Sequence, residues 1–185
     1  MIFLGQLDPE AVGPGIEHAT HYEPTPLADF EACMKAVPAD CTLPDTTFVD
    51  IGSGMGRVVL LASHYPFKQI LGVEISPALH EIARENLANY RDARQHCRDV
   101  RLIRADAGSY TLPGGNVLLY LYNPFEKPML ERFVRQLTIR SAAYETVLVY
   151  HTPVGREVIE QEAAFTLVSD LGFAAIYRSR LTQKG

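Results

Sequence analysis

The chain contains no tryptophan and only three cysteines in 185 residues. Cys33, Cys41 and Cys97 are odd in number, and their spacing matches neither a disulfide framework nor a zinc site. They are expected to be reduced thiols, and no metal ligand set is expected. Long apolar runs are also missing: the longest, Val117 to Tyr122, falls far short of the roughly 20 residues that a membrane helix needs. Met1–Ile2–Phe3–Leu4 is too short for the apolar core of a signal peptide, so a cytoplasmic location is expected and a membrane partner is not. Positive charge is in deficit, with 17 Lys and Arg against 22 Asp and Glu and a net charge of −5. A broad basic surface for gripping phosphate backbones is therefore not supported, and nucleic acid is not the expected partner. Internal repeats and low-complexity tracts are absent as well.

What remains is ordinary globular composition, 47% hydrophobic and 21% charged, at a length that suits one compact domain. Residues 1–25 carry glycine, proline and scattered charge without a sustained period, and read as a lead-in segment; whether it closes over a ligand is not legible. From residue 26 to 185 strands and helices alternate. Thr25 is expected to cap a helix begun by Pro26, with Leu27, Phe30, Met34 and Val37 on one face. Strands are expected at Thr46–Asp50, Gln69–Glu74, Val100–Arg104, Asn116–Tyr122, Thr146–Tyr150, Phe165–Val168 and Phe173–Arg178. Between them lie a helix after Gly54 with an inward stripe of Val58, Leu61, Ala62 and Tyr65, and one capped by Ser76 and begun by Pro77. The latter faces Leu79, Ile82, Ala83, Leu87 and Tyr90 inward; another spans Glu126 to Ile139 and a short one lies near Arg156–Gln161. This order predicts an α/β fold, a doubly wound and mostly parallel seven-stranded sheet that binds ligands at its carboxyl edge.

The most informative stretch is Phe48–Val49–Asp50–Ile51–Gly52–Ser53–Gly54–Met55–Gly56–Arg57, followed by Leu71–Gly72–Val73–Glu74–Ile75–Ser76–Pro77. A strand ending in an acid, then three alternating glycines, brings bare backbone against a nucleotide-like ligand, and the second acid suits ribose hydroxyls. A dinucleotide fingerprint would read Gly-x-Gly-x-x-Gly, with a helix N-terminus facing a pyrophosphate. Here the third glycine comes one residue early, and Arg57 stands in its place. The Gly-x-Gly-x-Gly loop with its following acid resembles that of the class I S-adenosylmethionine-dependent methyltransferases. The resemblance implies S-adenosyl-L-methionine as cofactor, held by Asp50, Gly52, Gly54, Gly56, Glu74 and Ile75. It also implies a contact from Asp106 and Ala107 to the adenine, with a helix-capping acid as the alternative reading of Asp106.

Tyr120–Leu121–Tyr122–Asn123–Pro124–Phe125 ends the fourth strand. It resembles the Asn/Asp-Pro-Pro-Tyr/Phe element of amino-methylating enzymes, with one proline instead of two, while Asn and Pro also serve as plain turn punctuation. Together with the glycine loop, the lone Asn123 before an aromatic resembles small prokaryotic protein-lysine methyltransferases and non-SET histone-lysine methyltransferases. In such enzymes a Tyr-containing lead-in lies near the cofactor, where this chain has His21–Tyr22–Glu23–Pro24. The resemblance implies that Tyr22, Glu23, Asn123 and Phe125 line the acceptor side, and that the methyl group passes to an amine nitrogen, foremost a protein lysine. A small-molecule or nucleic-acid methyltransferase, or a non-catalytic binder of the same cofactor, shares the cofactor residues and stays open. Other features read blandly. His18 and His21 lack partner ligands, the arginines from Arg91 to Arg104 are diluted by acids, and Tyr120 and Tyr122 read as packing. Oligomeric state is not legible.

Overall fold

The computed structural model describes residues 25–179. Seven strands form a single sheet: β1 (Thr46–Ile51), β2 (Gln69–Glu74), β3 (Val100–Arg104), β4 (Asn116–Tyr122), β5 (Thr146–His151), β6 (Phe165–Asp170) and β7 (Ala174–Ser179). Their spatial order is β3-β2-β1-β4-β5-β7-β6. The first five pair in parallel, and β7 runs antiparallel between β5 and β6. Every residue of β1 and β5 is buried, because helices cover both faces of a parallel sheet and leave no side for solvent.

Alternation along the strands sorts the core into two layers. Val49, Ile51, Leu119, Leu121, Leu148 and Tyr150 point to one face, where α4 (Lys127–Arg140) lays down Leu130, Phe133, Val134 and Leu137, and α5 (Glu157–Glu160) adds Val158 and Ile159. Phe48, Leu118, Tyr120, Val147 and Val149 point to the other, under Phe30, Cys33 and Met34 of α1 (Leu27–Ala36) and Val58, Val59 and Ala62 of α2 (Arg57–Ala62). The remaining helix, α3 (Pro77–Asn89), packs on β2 and β3.

Three local expectations need correction. Thr25 does not cap α1: the cap position is Pro26, and the Thr25 hydroxyl instead accepts from buried Tyr120 at 3.4 Å. The helix after the glycines starts only at Arg57 and stops at Ala62, since Gly54 and Gly56 both adopt left-handed backbone that no α-helix contains. Of the five residues expected to face inward from α3 only Ala83 is buried; this helix covers the β3 border of the sheet, where there is too little strand surface to enclose a full stripe. The Ser76 cap is confirmed, with its Oγ accepting from the Leu79 N–H at 3.3 Å.

The strand order reverses between β1 and β4: from β1 the chain builds outward through β2 to β3, then returns to β4 on the other side. The helices leaving β1 and β4 diverge to opposite faces, which opens a crevice beyond the two carboxyl ends. Gly52 follows β1 there, and Asn123 follows β4.

Candidate active site

The glycine loop is a tight structure held by backbone hydrogen bonds. Gly52 and Ser53 donate their N–H groups to the Val73 carbonyl at 2.9 and 3.0 Å, and Gly56 N–H reaches Ser53 O at 2.8 Å. Gly52, Gly54 and Gly56 have φ of +77°, +53° and +81°, a region costly for residues with a Cβ. At Gly52 there is a second constraint: a Cβ would lie 3.1 Å from the Cβ of Pro124. The first glycine of the loop and the turn after β4 therefore touch, which brings the two motifs together.

Glu74 closes that loop. Only 6% exposed, its carboxylate accepts from Gly54 N–H through Oε2 and from Ser76 N–H through Oε1, both at 2.8 Å. A carboxylate has about four acceptor positions, so two backbone donors leave capacity for two hydroxyls. Asp50, 4% exposed at the end of β1, has its pKa pushed well above the carboxylate range, first by burial and then by the negative charge of Glu74. Two acids at one loop disfavour a pyrophosphate and favour a ligand that carries positive charge and hydroxyls. That donor set fits S-adenosyl-L-methionine, which has an ammonium, a sulfonium and a ribose diol. Ile75 is exposed beside Glu74.

Arg57, standing where a dinucleotide fold would place its third glycine, ties the loop to the start of α1, since its Nε donates to Thr25 O at 2.7 Å. Asp106 folds its carboxylate onto its own turn, accepting from Gly108 N–H at 2.9 Å, and stays exposed after β3 with Ala107 half-buried beside it.

On the acceptor side Asn123 has φ of +41°. Its side chain meets the Tyr150 hydroxyl at 3.1 Å, and that hydroxyl also contacts Val154 O. The hydroxyl has one proton, which it directs at two acceptors, the Asn123 Oδ1 and the Val154 carbonyl. Phe125 packs its ring on Phe133 of α4, with centroids 5.1 Å apart; half-buried against the core, it supports the turn. Tyr120 is buried, and Tyr122 lies on the ring of His151 at 4.2 Å. Tyr22 and Glu23 lie outside the described residues, as do His18 and His21.

Sequence reasoning missed a pair at the same edge, a buried histidine and a half-buried aspartate. His151, 3% exposed at the end of β5, meets Asp29 Oδ2 through Nε2 at 3.2 Å and Thr152 Oγ1 through Nδ1 at 3.0 Å. Its partner stands 122 residues away, and no local spacing announces such a contact. Thr152 has φ of +47°; it and Asn123 are the two non-glycine residues with positive φ among those described. Each costs about 1–3 kcal/mol, and such strain gathers at functional sites. No thiol joins this edge as a nucleophile: Cys33 is buried within the α1 layer, and its pKa is pushed up to about 12 by burial and by Asp29. Among the described residues no cluster of His, Cys, Asp or Glu is arranged to hold a metal ion.

Comparison with known proteins agrees with this geometry. The family described as "Histone methylation protein DOT1" matches residues 31–105, the stretch from α1 through β3 that includes the glycine loop and Glu74. A ribosomal protein L11 methyltransferase of Clostridium perfringens is 36% identical over 75 residues, 40% of this chain and 22% of that protein. A release factor glutamine methyltransferase of Vibrio cholerae is 36% identical over 62 residues, 33% of this chain and 22% of its own length. The matches thus span about a fifth of these curated relatives. In fold, an RNA methyltransferase of Salinibacter ruber, solved with S-adenosyl-L-homocysteine, superposes with a TM-score of 0.57 at 20% identity, over 88% of this chain and 96% of that one.

Proposed function

We propose, for a chain that is a class I methyltransferase by fold, that it binds S-adenosyl-L-methionine in the β1/β4 crevice and transfers its methyl group to an amine nitrogen, foremost of a protein lysine. The observation that carries this reading is the contact between the Glu74-closed glycine loop and the Asn123–Pro124 turn, with Gly52 and Pro124 in van der Waals reach. The glycine loop and the turn that carries Asn123 are thereby adjacent, which supports a shared site for cofactor and acceptor.

The cofactor supplies an electrophilic methyl carbon on a sulfonium. Gly52, Gly54 and Gly56 give it room against the backbone, Glu74 takes the ribose hydroxyls, Asp50 faces its positive end, and Ile75, Asp106 and Ala107 border the adenine. Asn123 orients the acceptor nitrogen, whose lone pair must point along the line of the departing thioether. The family resemblance adds Tyr22 and Glu23 to the acceptor side, outside the described residues. Transfer of this kind draws on alignment and exclusion of water, and alignment alone contributes about 7–11 kcal/mol in favourable cases. The relative acting on ribosomal protein L11 supports a protein acceptor, whereas the RNA enzyme of the same fold keeps nucleic acid as the competing reading. A cytoplasmic setting goes with either.

The acceptor assignment is tested with Asn123→Gly, which keeps the left-handed backbone and deletes only the amide. Cofactor affinity is expected to persist while single-turnover transfer into lysate fractions falls on the order of tenfold. Transfer at the parental rate would reduce Asn123 to a turn residue. Label on oxygen or in nucleic acid would overturn the amine reading.

A further inference from the structure

The first turn of α1 is fastened to both halves of the site. Thr25, just before the helix, accepts from Arg57 Nε, the residue that follows the glycine loop. One turn later Asp29 accepts from His151 Nε2 at the end of β5. His151 is opposite Tyr122 in the parallel register, its ring packs on Tyr122 with centroids 4.2 Å apart, and Asn123 is the next residue. Three aromatic rings, Tyr120, Tyr122 and Phe173, enclose the imidazole. Burying a polar ring among them requires that both nitrogens be satisfied, and the structure satisfies both: Nε2 meets Asp29 and Nδ1 meets the Thr152 hydroxyl. Thr152 is β-branched and still holds φ of +47° to make this contact, while its N–H goes to Phe173 O at 2.8 Å.

We propose that Asp29 and His151 are a positioning pair for methyl transfer. Asp29 fixes the imidazole plane, the imidazole fixes the Tyr122 ring and the Thr152 turn, and these hold the strand ends that present Asn123 to the acceptor. The pair touches no reacting atom. It acts through Tyr122, and the inference rests on the methyltransferase reading above. The titratable groups facing the imidazole are Asp29 from α1 and Tyr120 and Tyr122 from β4.

The test uses the full chain and the variants His151→Phe, Asp29→Ala and Asp29→Asn. S-adenosyl-L-homocysteine affinity is read by calorimetry, melting temperature with that ligand bound, and single-turnover transfer from methyl-labelled S-adenosyl-L-methionine into lysate fractions. Affinity is expected to hold in all three. His151→Phe keeps the ring and loses both polar contacts, and Asp29→Ala loses one; each is expected to slow transfer on the order of tenfold, since small misplacements cost that much or more. Asp29→Asn recovers most of the rate, because its amide oxygen accepts the same N–H. Parental transfer in His151→Phe and Asp29→Ala, or transfer and affinity falling in equal proportion, would overturn the pair's role while leaving the methyltransferase reading intact. A wild-type chain that binds no S-adenosyl-L-homocysteine, or binds it and transfers nothing, would remove that reading and the pair's role together.

Discussion

At the scale of single residues, Asp50 shows how burial and charge prepare a site before any ligand arrives. Its folded-state pKa is raised by desolvation and by Glu74, while in the unfolded chain it titrates near the ordinary 3.8. The unfolded state then gives up its proton first, so stability without ligand is full below that value and declines as pH rises toward the raised folded pKa. Asp50→Asn cannot ionise and should escape the decline. Thermal melts of the ligand-free chain at mildly acidic and mildly alkaline pH check this. The variant is expected to gain on wild type as pH rises and to bind the cationic cofactor more weakly; parallel curves would show that Asp50 carries no such cost. Asp50, Glu74 and the three glycines were legible in sequence because they are local, set by spacing along two strand ends. Asn123 was legible in place but not in conformation, since its +41° φ goes with a contact to Tyr150, 27 residues along the chain. His151 was illegible because its meaning depends on Asp29, brought to it only by the packing of α1.

At the scale of elements, the expected strands β2, β3 and β4 match residue for residue, and β1, β5, β6 and β7 differ by one or two residues at their ends. Buried apolar runs bounded by turn residues leave little freedom. The helices were read less well. Apolar periodicity locates a helix but does not say how much sheet lies beneath it, which is why α3 shows a five-residue stripe and buries only Ala83. A helix so lightly held depends on its termini. Ser76→Ala removes the bond to Leu79 N–H and should destabilise the chain by about 1 kcal/mol, lowering the melting temperature by roughly 2–4 °C for a chain of this size. Because Ser76 N–H also steadies Glu74 through its backbone, which alanine retains, cofactor affinity should barely change. A loss of affinity without a loss of stability would contradict this division of roles.

At the scale of the whole molecule, the order of elements along the chain predicted a doubly wound sheet, yet spatial order is a property of packing. The reversal between β1 and β4 is what puts Gly52 against Pro124 and turns two separate motifs into one crevice. The central claim is that this crevice holds S-adenosyl-L-methionine by its backbone and by Glu74. Calorimetric titration of the full chain tests it most directly, with wild type and Glu74→Ala set against S-adenosyl-L-methionine and a nicotinamide dinucleotide. Wild type should bind one equivalent of S-adenosyl-L-methionine and none of the dinucleotide. Hydrogen bonds to a charged group are worth about 1.5–3 kcal/mol, so Glu74→Ala should weaken binding roughly 10- to 100-fold. Equal affinity in the variant, or preference for the dinucleotide, would contradict the account.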